Sequence, residues 1–176
     1  MSSESRPALF LDRDGVLNVD KAYVARAQDF EWAPGAQDCV RQFNELGYLV
    51  FVVTNQTGIA FGLYDEADMR AVHDHMRRDL AAAGAHVDAI YACPFHPDAS
   101  VARYRIDSDE RKPHPGMLLR AMADYDVDKS RSFLIGDKQT DLDAAKAAGL
   151  PGFLFTGGNL CVFALHIMAQ LSSAAL

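Results

Sequence analysis

Ala8-Leu9-Phe10-Leu11-Asp12-Arg13-Asp14-Gly15 is the stretch on which the fold turns. Four apolar residues, read as a buried strand, run straight into two carboxylates two residues apart and then a glycine. If the extended backbone continues past Leu11, Asp12 and Asp14 project to the same side, because strand side chains repeat every second residue. Working outward, residues 48–53, 87–92, 132–135 and 152–155 repeat the pattern of a short apolar run. Between them the spacing predicts helices over 35–46, 65–83, 116–125 and 140–148, with a further helix after 159. Gly47, Gly84 and Gly149 stand where helices usually stop. Residues 94–115 are irregular, rich in Asp, Arg and Pro. Strand–helix alternation of this kind predicts an α/β, Rossmann-like doubly wound parallel sheet. The short connection between Asp12 and Thr54 leaves no space for a large cap domain.

Composition sets the outer bounds. A chain of 176 residues, 49% hydrophobic and 23% charged, is expected to form a single domain over 1–176 with one sizeable core. Residues 1–7 read as a flexible tail. The formal net charge of −7 argues against nucleic-acid binding. Three scattered cysteines (Cys39, Cys93, Cys161) form no disulfide framework and fit a reducing compartment. No apolar run reaches the ~18–20 residues of a membrane span. The expectation is a cytoplasmic protein, a monomer or weak homo-oligomer, with no membrane or nucleic-acid partner.

In an open parallel sheet, ligands bind beyond the carboxyl ends of the strands. Three of the strands run there into polar residues: Asp12, Thr54-Asn55 and Gly136-Asp137. Asp137 and Asp141 would join Asp12 and Asp14 if their strands are neighbours. Several carboxylates in one desolvated crevice repel, so either some protonate or a cation sits among them. A hard divalent ion with oxygen ligands, most simply Mg²⁺, resolves that conflict. The plain alternative is that these aspartates cap helices and face water. Thr54-Asn55-Gln56-Thr57-Gly58 adds neutral donors suited to an anionic oxygen, and Arg111-Lys112-Pro113 adds two cations. His73 and His75 are read as exposed, His96 and His114 as loop residues.

The order Asp12-x-Asp14-Gly-Val-Leu-Asn18, Thr54-Asn-Gln-Thr-Gly58, Arg111-Lys112-Pro, Gly136-Asp137-Lys138-x-x-Asp141 resembles the haloacid dehalogenase (HAD) superfamily of phosphohydrolases. Within it, the chain is similar to the heptose 1,7-bisphosphate and histidinol-phosphate phosphatases, from about Ala8 to Asn159. The resemblance implies a Mg²⁺-dependent phosphatase for a small phosphorylated metabolite. Asp12 would be the nucleophile that becomes an aspartyl-phosphate, and Asp14 the general acid and base. Thr54 and Lys112 would hold the phosphoryl oxygens. Mg²⁺ would be bound by Asp12, the Asp14 main-chain carbonyl and Asp137. Substrate contacts are implied for Asp20, Lys21, Ala22, Tyr23, Asn55, Gln56, Thr57, Arg111 and Lys138.

One departure from the resemblance concerns zinc. The heptose-bisphosphate group commonly holds structural zinc through Cys-x-His and Cys-x-Cys; here those positions read Cys93, Phe95, Ser108 and Glu110. One thiol falls short of four N/S ligands, so structural zinc is not expected. The favoured substrate is a heptose bisphosphate losing its C7 phosphate. Histidinol phosphate or another small phosphate ester is the alternative, and a catalytically silent binding protein the alternative from another class.

Overall fold

The computed structural model describes residues 5–174. Its strands are β1 (Ala8–Leu11), β2 (Leu49–Asn55), β3 (Ala89–Cys93), β4 (Phe133–Gly136) and β5 (Gly152–Leu154). Its α-helices are α1 (Ala36–Glu45), α2 (Thr57–Ala60), α3 (Glu66–Ala82), α4 (Gly116–Asp124), α5 (Gln139–Ala147) and α6 (Leu160–Ala174). The sheet runs β3-β2-β1-β4-β5, and every neighbouring pair is parallel.

The sequence explains this order of layers. β1 and β2 are apolar nearly throughout because both of their faces are covered. Alternate residues feed two cores. Leu9, Leu11, Val50, Val52, Phe133 and Ile135 pack with α1, α3 and α6. Ala8, Phe10, Phe51, Val53 and Leu134 pack on the other side with α4 and α5. α3 begins where Asp65 caps it, accepting from the main-chain N–H of Ala67 and Asp68. The short helix α2, directly after β2, is absent from the sequence pattern because four residues carry no period. Phe155 and Ile167 are core, and Phe163 and Leu165 pack against it.

From β1 the chain builds outward through β2 to β3, then crosses back to lay β4 on the other side of β1, and this switch opens a crevice beyond the carboxyl ends of β1 and β4. Register sets these ends level, with Leu11 paired to both Val52 and Ile135. Asp12 and Asp137 therefore emerge side by side.

Two expectations change. The predicted tail over 1–7 lies partly outside the described residues, and its last two are fixed: Arg6 N–H donates to Asp126 O, and Pro7 O accepts from Leu49 N–H. The second of these extends the β1–β2 pairing by one step and the first belongs to a separate bridge to Val127, neither of which a polar tail advertises. His73 is buried, 5% exposed, because it lies on the same face of α3 as Val72, Met76 and Leu80. The irregular stretch 94–115 holds no α-helix or strand, only a 3₁₀ turn at Ala102–Tyr104. It is anchored by Tyr104 and Ala99, which pack with Ile59, Ala60 and Tyr64 and against Phe95. Cys93 is a fully buried small residue beneath it. Among the described residues no helix is long and apolar enough to cross a membrane.

Candidate active site

A cavity of about 470 Å³ opens at the crevice, lined among others by Asp12, Asp14, Tyr23, Asn55, Arg111, Lys112 and Lys138. Asp12 and Asp141 line it, and with the neighbouring Asp137 each offers a carboxylate oxygen, the three atoms lying within 4.8 Å of one another. Lys112 sits among them, 4% exposed. Its Nζ donates to Val53 O at 2.8 Å, lies 3.0 Å from Asp12 Oδ1 and also contacts Asp141 Oδ1. Its backbone is clamped by Asn55, whose amide donates to Lys112 O and accepts from Lys112 N–H.

Charge and burial explain the proton affinities. Burial pushes the Asp12 carboxyl up to about 7; Lys112 works against this and Asp141 with it. Asp137 is also raised, by burial first. Burial alone would lower the Lys112 ammonium, but Asp12 and Asp141 outweigh it and hold it above its ordinary value. Lys112 faces Asp12 and Asp141, the exposed Lys138 reaches Asp137 Oδ2 only at 3.8 Å, and Asp137 Oδ1 is buried with no hydrogen-bond partner among the described residues. A hard divalent cation with oxygen ligands fits that donor set.

Asp14 stands apart from the cluster, contrary to the expectation of parallel side chains. Extended backbone ends at Asp12: Arg13 O accepts from the N–H of Val16, Leu17 and Asn18, and Gly15 takes φ +85°. This turn swings Asp14 across the cavity. There its carboxylate accepts from Arg13 Nη2 (3.1 Å to both oxygens), Asn18 Nδ2 (3.0 Å) and Gln56 Nε2 (3.0 Å). Burial would raise Asp14, but Arg13 and these donors hold it below the usual carboxylate range.

Gly15 is also where the turn meets the cluster, since a Cβ there would lie 2.3 Å from Asp137 Oδ2. The left-handed backbone alone costs a non-glycine residue about 1–2 kcal/mol. Gly15→Ala is therefore expected to lower the melting temperature by roughly 2–8 °C, read by differential scanning fluorimetry. An unchanged melting temperature would contradict the close approach.

The other expected site residues divide. Tyr23 is 49% exposed at the cavity mouth, and Lys138 lies 3.8 Å from both Asp20 and Asp137. Arg111 Nη1 donates to Thr57 Oγ1 at 2.8 Å, and its guanidinium lines the cavity. Gln56 turns its amide inward, donating to Asp14 and to Thr54 Oγ1 while accepting from Tyr64. Thr54 is wholly buried and does not line the cavity. Asn55 lines the cavity while holding the Lys112 backbone. Residues outside the expected set are Arg13, 1% exposed between the two acids, and Tyr64 behind Gln56. Arg13 was legible as a charge inside the acid pair; Tyr64 carried no signal.

Comparison with known proteins bears on the same arrangement. The HAD-hydrolase-like family model matches residues 110–165. A D-glycero-beta-D-manno-heptose-1,7-bisphosphate 7-phosphatase of Rhodopseudomonas palustris is 44% identical over 174 residues, 99% of this chain and 97% of that protein. A D-glycero-alpha-D-manno-heptose-1,7-bisphosphate 7-phosphatase of Burkholderia mallei is 45% identical over 143 residues, 81% of this chain and 76% of that one. A crystal structure of the D,D-heptose 1,7-bisphosphate phosphatase from B. bronchiseptica, complexed with magnesium and phosphate, superposes with TM-score 0.80 at 33% identity, covering 96% of this chain and 99% of that one. Fold, strand-end acids and near-full-length identity agree: the chain belongs to the HAD-like phosphatases, hydrolases of phosphoric monoesters.

Proposed function

We propose that the chain removes the C7 phosphate of a heptose 1,7-bisphosphate in a Mg²⁺-dependent reaction through an aspartyl-phosphate. The observation that carries this is the convergence of Asp12, Asp137, Asp141 and Lys112 at the ends of β1 and β4, in a chain 44% identical to a heptose-bisphosphate 7-phosphatase.

Asp12 attacks phosphorus as the bond to the sugar oxygen breaks, and Asp14 gives that oxygen its proton. Asp14 then takes a proton from water, which attacks the phosphoryl group, frees Asp12 and releases inorganic phosphate. The low proton affinity of Asp14, held by Arg13, Asn18 and Gln56, suits the base. A bound phosphate dianion beside it favours the protonated form that the acid needs. Asp12, Asp137 and the Asp14 main-chain carbonyl would hold Mg²⁺, with Asp141 alongside; the ion supplies positive charge against the phosphoryl oxygens. Lys112 holds Asp12 in place and shares that task. Arg111, Tyr23 and Lys138 face the part of the substrate beyond the reacting phosphate.

Asp107, Asp109 and Glu110, the acids that would suit the amine of histidinol phosphate, do not line the cavity, and Glu110 pairs with Arg120 at 2.8 Å. The cavity's outer cations, Arg111 and Lys138, suit a second anion instead. A phosphate-release screen over both anomers of the heptose bisphosphate, sugar monophosphates and histidinol phosphate tests the substrate. The bisphosphate should give the highest kcat/KM; a preference for histidinol phosphate would overturn it.

Metal binding should depend on pH. Because the Asp12 value in the folded chain (about 7) lies above its ordinary 3.8, the carboxyl is protonated in the metal-free site below neutrality. Its contribution favours the folded metal-free chain below pH 3.8 and is lost as pH rises through 7. Mg²⁺ must displace that proton, so affinity should rise about fivefold from pH 6 to pH 7, about tenfold by pH 8, and level off above that. Titration calorimetry in buffers of differing ionisation enthalpy reads both affinity and proton release. A flat profile would remove Asp12 from the ion's ligands.

A further inference from the structure

Behind Asp14 runs a buried polar chain that the reaction as written does not use. Arg13 reaches away from the cavity floor to α3, where its Nη1 lies 3.2 Å from His73 Nε2. Arg13 is 1% and His73 5% exposed. A guanidinium carries only donors, so His73 Nε2 must present its lone pair and the ring proton sits on Nδ1. Burial, with Arg13 and Arg77 nearby, holds the imidazole down to about 3, so the ring is a neutral acceptor at any working pH.

Arg13 grips both oxygens of Asp14 with Nη2, while its Nε is buried with no partner among the described residues. A guanidinium tied only to the carboxylate it grips would turn with it. The bond to His73 ties it instead to a 17-residue helix. We propose that His73 is a positioning residue for phosphoryl transfer: by accepting from Arg13, it fixes the guanidinium that sets the orientation of the Asp14 carboxylate toward the leaving oxygen. This rests on the acid–base role proposed above for Asp14.

The test separates leaving groups. A sugar oxygen needs a proton as it departs, whereas p-nitrophenolate leaves without one, and kcat/KM reports only the steps through the first phosphoryl transfer. His73→Leu should lower kcat/KM on heptose bisphosphate about 10–100-fold, because it misplaces the acid. On p-nitrophenyl phosphate the change should stay under about threefold, which also shows that the variant folds. His73→Gln, whose amide oxygen accepts from Arg13, should recover most of the loss. Equal losses on both esters, no loss on the sugar ester, or a glutamine variant no better than leucine would each overturn the role of His73. Asp14→Asn, run alongside, separates the two proposals. If it retains turnover of the sugar ester, the acid–base role falls; if it collapses while His73→Leu does not, only the positioning role falls.

Discussion

Asp12→Asn is expected to abolish phosphate release, lowering kcat by at least about 10³-fold, without making the metal-free chain easier to melt. The two outcomes have one origin. In the folded chain Asp12 is buried beside Asp141, and its ionised form is disfavoured enough to lift its value to about 7. Asparagine keeps the shape and drops the charge, so at pH 8 the variant no longer suffers that burial cost. Lys112 keeps Val53 O and Asp141 as partners, so no cation is stranded. An amide cannot accept a phosphoryl group and let it go again, so the chemistry stops. Phosphate release at saturating Mg²⁺, and melting curves in EDTA at pH 8, measure the pair. Turnover near the wild-type rate would mean that another group attacks phosphorus. A melting temperature many degrees lower would mean that the Asp12–Lys112 contact holds the fold together.

What the sequence could announce were the features set by neighbouring residues. β1 and β2 were legible because strands covered on both faces are continuously apolar. Asp12 and Asp137 were legible as a pair because a parallel sheet brings strand ends to one edge. Direction and partner were not legible. Asp14 diverges from Asp12 because Arg13 O gathers three N–H groups in a turn, a choice no period-two pattern contains. Asn55 and Gln56 looked like substrate donors. Both line the cavity, but the sequence did not show that the first also pins the backbone of Lys112, 57 residues away, or that the second completes the shell of Asp14. His73 looked exposed because spacing on α3 shows a stripe but not its edge. The irregular stretch over 94–115 gave no sign in the sequence of what holds it; Phe95 and Tyr104 supply an apolar anchor.

Lys112→Met should be the most damaging single substitution for stability in the site. Lys112 is the buried cation of the acid floor, with Lys138 exposed at its edge 3.8 Å from Asp137, and the partners of its Nζ are Val53 O, Asp12 and Asp141. Methionine fills similar space but leaves two buried carboxylates facing each other and a carbonyl without its donor. Stranding buried charge in this way costs about 3–5 kcal/mol, or a melting temperature roughly 6–20 °C lower. Activity should fall by about 10²-fold or more, since charge on the transferring group loses a fixed counter-charge. The pH dependence identifies the cause. Lys112 lowers the Asp12 value in the wild type, so its removal raises that value above 7. Protonation then relieves the repulsion: the gap between variant and wild type should be widest near pH 8 and narrow as pH falls toward 5.5. Mg²⁺ should narrow it as well, because a cation among the same oxygens takes over part of the neutralisation. Melting curves of both chains from pH 5.5 to 8.5, with EDTA and with Mg²⁺, give the full comparison. A gap that ignores pH and metal alike would show that Lys112 matters through packing, and the electrostatic account of the acid floor would fail with it.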